Sequence, residues 1–158
     1  MSAHLNPILL QAVGTVRSSR SAVEDDLWDA ETVHVELDDR FSETALAGLE
    51  TFSHVEIIFF MNQVRPEKIE TEARHPRNNE AWPKIGIFAQ RGKNRPNQLG
   101  TTICAIERVA GRKLHVRGLD AVDGTPVLDI KPWVQEFGPR GAVRQPSWIT
   151  ELMERYWK

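Results

Sequence analysis

The sequence predicts a mainly β protein: a small antiparallel β-barrel with one or two short peripheral helices. Three observations lead there. Segments that alternate with period two, or that are rich in β-branched residues, outnumber helical ones. Turns rich in Gly, Asn and Asp recur between them. The one long stripe at helical spacing lies at the C-terminus. All 158 residues read as a single domain, with a C-terminal helix over 146–157.

The elements follow in order. Ile8 to Val16 is apolar enough for a first strand, with Gly14 as a bulge position. Thr32 to Leu37 alternates as a half-buried strand does. Ser42 precedes a short helix over Glu43 to Leu49 and is its natural N-cap. Ser53 to Met61 and Lys84 to Ala89 read as buried strands. Thr101 to Val109, the turn Ala110-Gly111-Arg112 and Lys113 to Leu119 form a hairpin. Asp123-Gly124 turns into the short run Pro126 to Ile130. Trp148, Ile149, Leu152, Met153, Tyr156 and Trp157 share one helical face that packs on the barrel or on a partner subunit, with Ser147 as the cap. Between them, Val64 to Pro83 is a polar loop of a length that points to a functional or mobile segment.

Several classes of function are excluded. There is no GxGxxG, no P-loop and no GxSxG elbow. The five histidines (4, 34, 54, 75 and 115) show no metal-ligand spacing, so no metal is expected, and His34 and His115 read as sheet residues. Cys104 is the only cysteine and sits in an apolar strand, which fits a buried small residue rather than a nucleophile. The longest apolar run, Val55 to Met61, is interrupted by Glu56 and is far too short for a membrane span. The opening Met1-Ser2-Ala3-His4 lacks the features of a secretory leader, so the expectation is a cytoplasmic protein with no membrane partner.

Charge is unevenly spread. The net charge is -2, yet residues 84–117 carry eight Lys/Arg against the single acid Glu107, while residues 1–60 carry 11 acids against three Arg. The cations concentrate in Arg91-Gly92-Lys93-Asn94-Arg95, a loop whose guanidinium forks and free amides suit phosphate or carboxylate.

Two loops then stand out: Phe88 to Gly100, with Arg95-Pro96-Asn97, and Gly118 to Pro132, with Leu119-Asp120, Asp123-Gly124-Thr125-Pro126 and Asp129-Ile130-Lys131-Pro132. Together with Phe52-Ser53-His54 and Gly86-Ile87-Phe88-Ala89 they resemble the TsaA-like (TrmO-type) family over roughly residues 10–135. The resemblance implies an S-adenosylmethionine-dependent methyltransferase on a small antiparallel barrel. It implies a homodimer with cofactor near the subunit interface, acting in tRNA processing. In the family's characterised type the acceptor is N6 of threonylcarbamoyladenosine beside the anticodon. A methyltransferase for a non-tRNA or small-molecule acceptor, and a non-catalytic S-adenosylmethionine-binding module, are the alternatives.

By that resemblance the cofactor contacts are Asn62, Gln63, Phe88, Ala89, Arg91, Thr101 and the loop Asp120, Ala121, Val122, Asp123, Gly124 and Thr125. Lys93, Arg95, Asn97, Arg112 and Lys113 are the expected substrate and RNA contacts. No catalytic residue is assigned. The sequence departs from the family where its early Pro-Arg-Gln contact is replaced by Glu24-Asp25-Asp26-Leu27-Trp28-Asp29. Asn62 also replaces a common His, Gln98-Leu99 replaces Pro-Ile, and the C-terminal extension is short. Trp28 is a candidate for stacking on a base or on the cofactor, against the commoner role of a core or interface tryptophan.

Overall fold

Short β-branched stretches separated by tight turns close on themselves in the computed structural model, which describes residues 5–158. Residues 1–4, on which the reading of the leader rests and which include His4, lie outside the described residues. The strands are β1 (Gly14–Ser18), β2 (Val33–Leu37), β3 (His54–Phe60), β4 (Ala73–Arg74), β5 (Ile85–Gly86), β6 (Leu99–Ala110), β7 (Lys113–Arg117) and β8 (Pro126–Pro132), and the helix is α1 (Ser147–Met153). Six of the strands form a closed antiparallel barrel in the order β1-β2-β7-β6-β3-β8. Closure removes the exposed edges that an open sheet of this size would present.

Alternation sets the inside of the barrel. In β2 Val33, Val35 and Leu37 are buried while His34 and Glu36 face outward, and in β3 Val55, Ile57 and Phe59 repeat the pattern. Two register shifts bend the wall. One lies between Ile58 and Phe59 against β8, the other between Ile106 and Arg108 against β7. An extra residue on one strand sharpens local twist, as a six-stranded closure requires. Cys104 is wholly buried, and burial pushes its thiol well above the usual range.

Several expectations are corrected. The first strand is Gly14–Ser18, not Ile8 to Val16, and Ile8 and Leu9 are 86% and 96% exposed. Gly14 is no bulge. It keeps register with both Leu37 and Val127, and its missing side chain is needed because a Cβ there would stand 2.6 Å from the Glu36 carbonyl oxygen. The helix at Glu43 to Leu49 is two short 3-10 turns, Glu43–Leu46 and Leu49–Thr51. Ser42 does not cap the first; its hydroxyl pairs with that of Thr44 at 2.6 Å. Lys84 to Ala89 gives only the two-residue β5 before a 3-10 turn over Ile87–Ala89. The C-terminal helix is shorter than 146–157, and Pro146 rather than Ser147 holds its N-cap position.

Beyond α1 the tail lies along the acidic segment at 24–29. Leu27, Trp28 and Asp29 each donate a backbone amide to the carbonyls of Arg155, Tyr156 and Trp157, at 3.1, 2.9 and 3.3 Å. The polar loop 64–83 is tied down by the β4–β5 pairing and by a Trp82 indole bond of 2.9 Å to Glu151.

Candidate functional site

Two neighbouring positions in β6 point to opposite faces, and that places the site. Thr102 points inward, where its hydroxyl donates to one carboxylate oxygen of Asp120; the Tyr156 hydroxyl donates to the other. Asp120 is thus held by one donor from the barrel wall and one from the C-terminal tail. Burial, then the Asp120 charge and hydrogen bond, push the Tyr156 phenol well above its usual range, so it is a standing donor at neutral pH. Arg91 and Arg77 act in the opposite sense on Tyr156, which places both guanidinium groups within Coulombic reach of it.

Thr101, on the outward face, joins the same corner. Arg91 donates to the Thr101 carbonyl at 2.9 Å, and the Thr101 hydroxyl donates to Glu56 at 2.9 Å. Thus Arg91, Thr101 and Asp120, far apart in sequence, converge. A guanidinium there suits a carboxylate, and a half-buried carboxylate suits an amine or a hydroxyl.

The rest of the Asp120 loop has another role. Ala121, Val122 and Thr125 are buried, and the Thr125 hydroxyl donates to the Val122 carbonyl at 2.7 Å. Asp123 is exposed and its carboxylate accepts from the Ser18 amide at 3.1 Å, at the end of β1. A side chain at Gly124 would meet nothing within 4 Å, so this turn faces open space. Asn62 and Gln63 lie exposed on the turn after β3, which Gln98 fixes by donating to the carbonyls of Met61 and Val64 at 2.9 and 3.2 Å. Phe88 is 78% exposed beside Ala89 on a 3-10 turn.

The expected RNA contacts divide. Lys93 is in the basic loop but pairs with Asp25 at 3.5 Å. Arg95 is spent on its own loop, donating to the Gln90 carbonyl at 2.6 Å, and Asn97 is exposed at positive φ. Arg112 and Lys113 do not join them. They sit at the far end of the twelve-residue β6, roughly 35–40 Å of strand away, where Arg112 pairs with Asp39 at 2.8 Å. Trp28 is not available for stacking: it is 5% exposed, with the Arg20 guanidinium 3.7 Å above its ring.

Sequence reasoning missed Thr102, Tyr156 and Arg77. The fork of Arg77 grips Asp26 at 2.9 and 3.2 Å, closing the polar loop onto the acidic segment. Tyr156 is the only tyrosine of the chain, and a lone hydroxyl-bearing ring in an otherwise apolar stripe was the signal available. Two clefts lie outside this corner. One, of about 200 Å³, is lined by Gly14, Glu36 and Asp38; the other, of about 280 Å³, by Asp29, His54, Ile103, Arg117 and Trp157.

Residues 20–138 match the family model of the tRNA-methyltransferase O N-terminal domain. Over 104 residues the chain is 39% identical to the human tRNA (adenine(37)-N6)-methyltransferase, covering 66% of this chain and 23% of that protein. It is 33% identical over 139 residues to a probable S-adenosyl-L-methionine-binding protein of Methanothermobacter thermautotrophicus, covering 85% of this chain and 96% of that one. A crystal structure of TrmO from Pseudomonas aeruginosa superposes with a TM-score of 0.70 at 29% identity, over 90% of this chain and 62% of that one. The match therefore spans about a quarter of the human relative and under two thirds of the solved chain.

Proposed function

The chain belongs to the tRNA-methyltransferase O N-terminal-domain family, and from that premise we propose that it transfers a methyl group from S-adenosylmethionine to N6 of an adenosine beside the tRNA anticodon. The convergence of Arg91, Thr101 and Asp120 at one end of β6 carries this reading. When bound, the cofactor supplies an electrophilic methyl group on its sulfonium. The protein's part is alignment: Arg91 holds the carboxylate end, and Asp120, fixed by Thr102 and Tyr156, receives an amine or ribose hydroxyl. In this reading Thr101, Asn62, Gln63, Phe88 and Ala89 complete the cofactor site, and Asp123 to Thr125 form its outer turn.

The acceptor in this reading is threonylcarbamoyladenosine, and the working form is a cytoplasmic homodimer. A second copy laid across this corner would shut out water. The test uses the purified chain, methyl-labelled S-adenosylmethionine, and tRNA with and without the threonylcarbamoyl group. Label on N6 of the adenosine next to the anticodon, lost in Arg91→Ala, is the expected result. Cofactor binding with no label in either tRNA would overturn the enzymatic reading.

A further inference from the structure

On the outer face of the barrel, cross-strand pairing sets three side chains in a row: His54 of β3 opposite Ala105 of β6, and Ala105 opposite Arg117 of β7. Ile103 lies two residues along β6 on the same face and is 46% exposed. Two segments wall this floor. The tail brings Trp157, 37% exposed and edge-on to Tyr156 at 4.8 Å. The acidic segment brings Asp29, whose carboxylate accepts from Arg117 at 2.8 Å. Both walls close over Gly118, where a Cβ would stand 3.8 Å from the Asp29 carboxylate and 3.9 Å from the Trp157 ring.

The space between them is an open cleft of about 280 Å³. That is below the roughly 300–1,000 Å³ of sites that swallow a drug-sized ligand, so it suits one planar ring and not a whole cofactor. Its chemistry is one exposed indole, a floor of Ile103, Ala105 and the His54 imidazole, a guanidinium at the rim and one carboxylate. A base stacks on an indole, a guanidinium fork takes a phosphate, and a carboxylate accepts from an exocyclic amine. Asp29 and Arg117 neutralise each other in the free protein; a phosphate drawing Arg117 away would release Asp29 to accept from the base. The floor is continuous with the corner described above, because Thr101, held by Arg91, is only about 7 Å along β6 from Ile103.

We propose that this cleft seats one unstacked nucleotide of the RNA substrate, with its amine-bearing base against Trp157 and its phosphate on Arg117. The inference rests on the tRNA reading, and its test is independent of methyl transfer. Anisotropy of a labelled anticodon stem-loop hairpin reads RNA binding to the full chain at fixed salt, and calorimetry reads S-adenosylmethionine separately.

Losing a stacking partner predicts that Trp157→Ala binds the hairpin about tenfold more weakly, while Trp157→Phe stays within about threefold. Ile103→Glu, a surface change that fills the floor with charge, weakens it similarly, and cofactor affinity is unchanged in all three. A hairpin with a loop of uridines only, which lack the amine, binds more weakly than one rich in adenine and cytosine. Wild-type affinity in both Trp157→Ala and Ile103→Glu overturns the proposal. So does a change in sedimentation of either variant without RNA, since the cleft would then be covered by a second copy. A protein that methylates tRNA but ignores Trp157 refutes the cleft alone; one that binds through Trp157 but transfers no methyl refutes the proposed activity alone.

Discussion

Asp120 shows how a single residue's partners fix what it can do. Its two oxygens are matched one-to-one with the Thr102 and Tyr156 hydroxyls, and among the described residues no neutralising cation is bonded to it. Removing one donor leaves the charge under-solvated in a partly buried corner. Tyr156→Phe is therefore expected to lower stability by about 1–3 kcal/mol, the range for a hydrogen bond to a charged group, as read by urea denaturation. The pH dependence follows from the raised phenol pKa. Below the unfolded value, about 10, folded and unfolded chains are alike protonated and the contribution is intact. As pH climbs above that, the unfolded chain ionises first and the contribution is lost. Cys104, also raised by burial, acts in the same direction. The difference between wild type and Tyr156→Phe should thus shrink above about pH 10. A difference that is constant to pH 11 would show that the phenol does not titrate as its surroundings demand.

The strands carry the next level of constraint. β1 approaches β2 so closely at Gly14 that a Cβ would sit 2.6 Å from backbone oxygen, which cannot move without breaking the ladder. Gly14→Ala should lower stability by about 1–3 kcal/mol, as overpacking does, while far-UV dichroism stays that of a barrel. The β2–β7 pairing adds a pH response. His34 lies opposite His115 with ring centroids 5.0 Å apart, and both pKa values are lowered from 6.5, chiefly by burial. Lys113, Arg17 and Arg108 add to the lowering, while Glu36 and Glu107 oppose it. The folded chain takes up these protons later than the unfolded one. The pairing is at full strength above pH 6.5 and weakens as pH falls through the lowered values. His115→Gln should flatten the decline of the urea midpoint between pH 7 and pH 5; an unchanged slope would remove the pair from the acid response. Alternation made these strands legible in the sequence, because period two survives in any sheet with one buried face. The first strand misled because Ile8, Leu9 and Leu10 are apolar yet exposed, and composition cannot tell an apolar arm from a buried strand. The short helix misled for a related reason: Glu43 to Leu49 has helical spacing, but Gly48 at φ 93° breaks it into two 3-10 turns.

At the scale of the whole molecule, the C-terminal tail and distant loops are folded onto one corner of the barrel, and there sequence reasoning saw only half. Arg91, Thr101 and Asp120 entered the sequence reading through the phrases that carry the family resemblance. Tyr156 and Arg77 did not, because a long-range contact leaves no local period. The charge map was legible as a pattern, but its use was not: the acidic segment does not float opposite the basic loop but is clamped by Asp25 to that loop and by Asp26 to the polar loop. Asp25 meets Lys93 at 3.5 Å, and Asp26 takes the Arg77 fork at 2.9 Å. Two cations facing the proposed RNA path are thereby neutralised by the protein's own carboxylates. An approaching phosphate must displace them, and that exchange lowers both affinity and the number of counterions released. The double variant Asp25→Asn, Asp26→Asn removes both competitors and keeps the shapes. It should bind an anticodon stem-loop more tightly than wild type. Its affinity should also fall more steeply with salt, the log–log slope growing by about 0.7–0.9 for each phosphate newly neutralised. Arg77 and Lys93 come from different loops, so the two increments should appear separately in the single variants and add in the double. A double variant with wild-type affinity and slope would mean that these cations face away from the nucleic acid, and that the acidic segment only fastens the polar loop to the barrel.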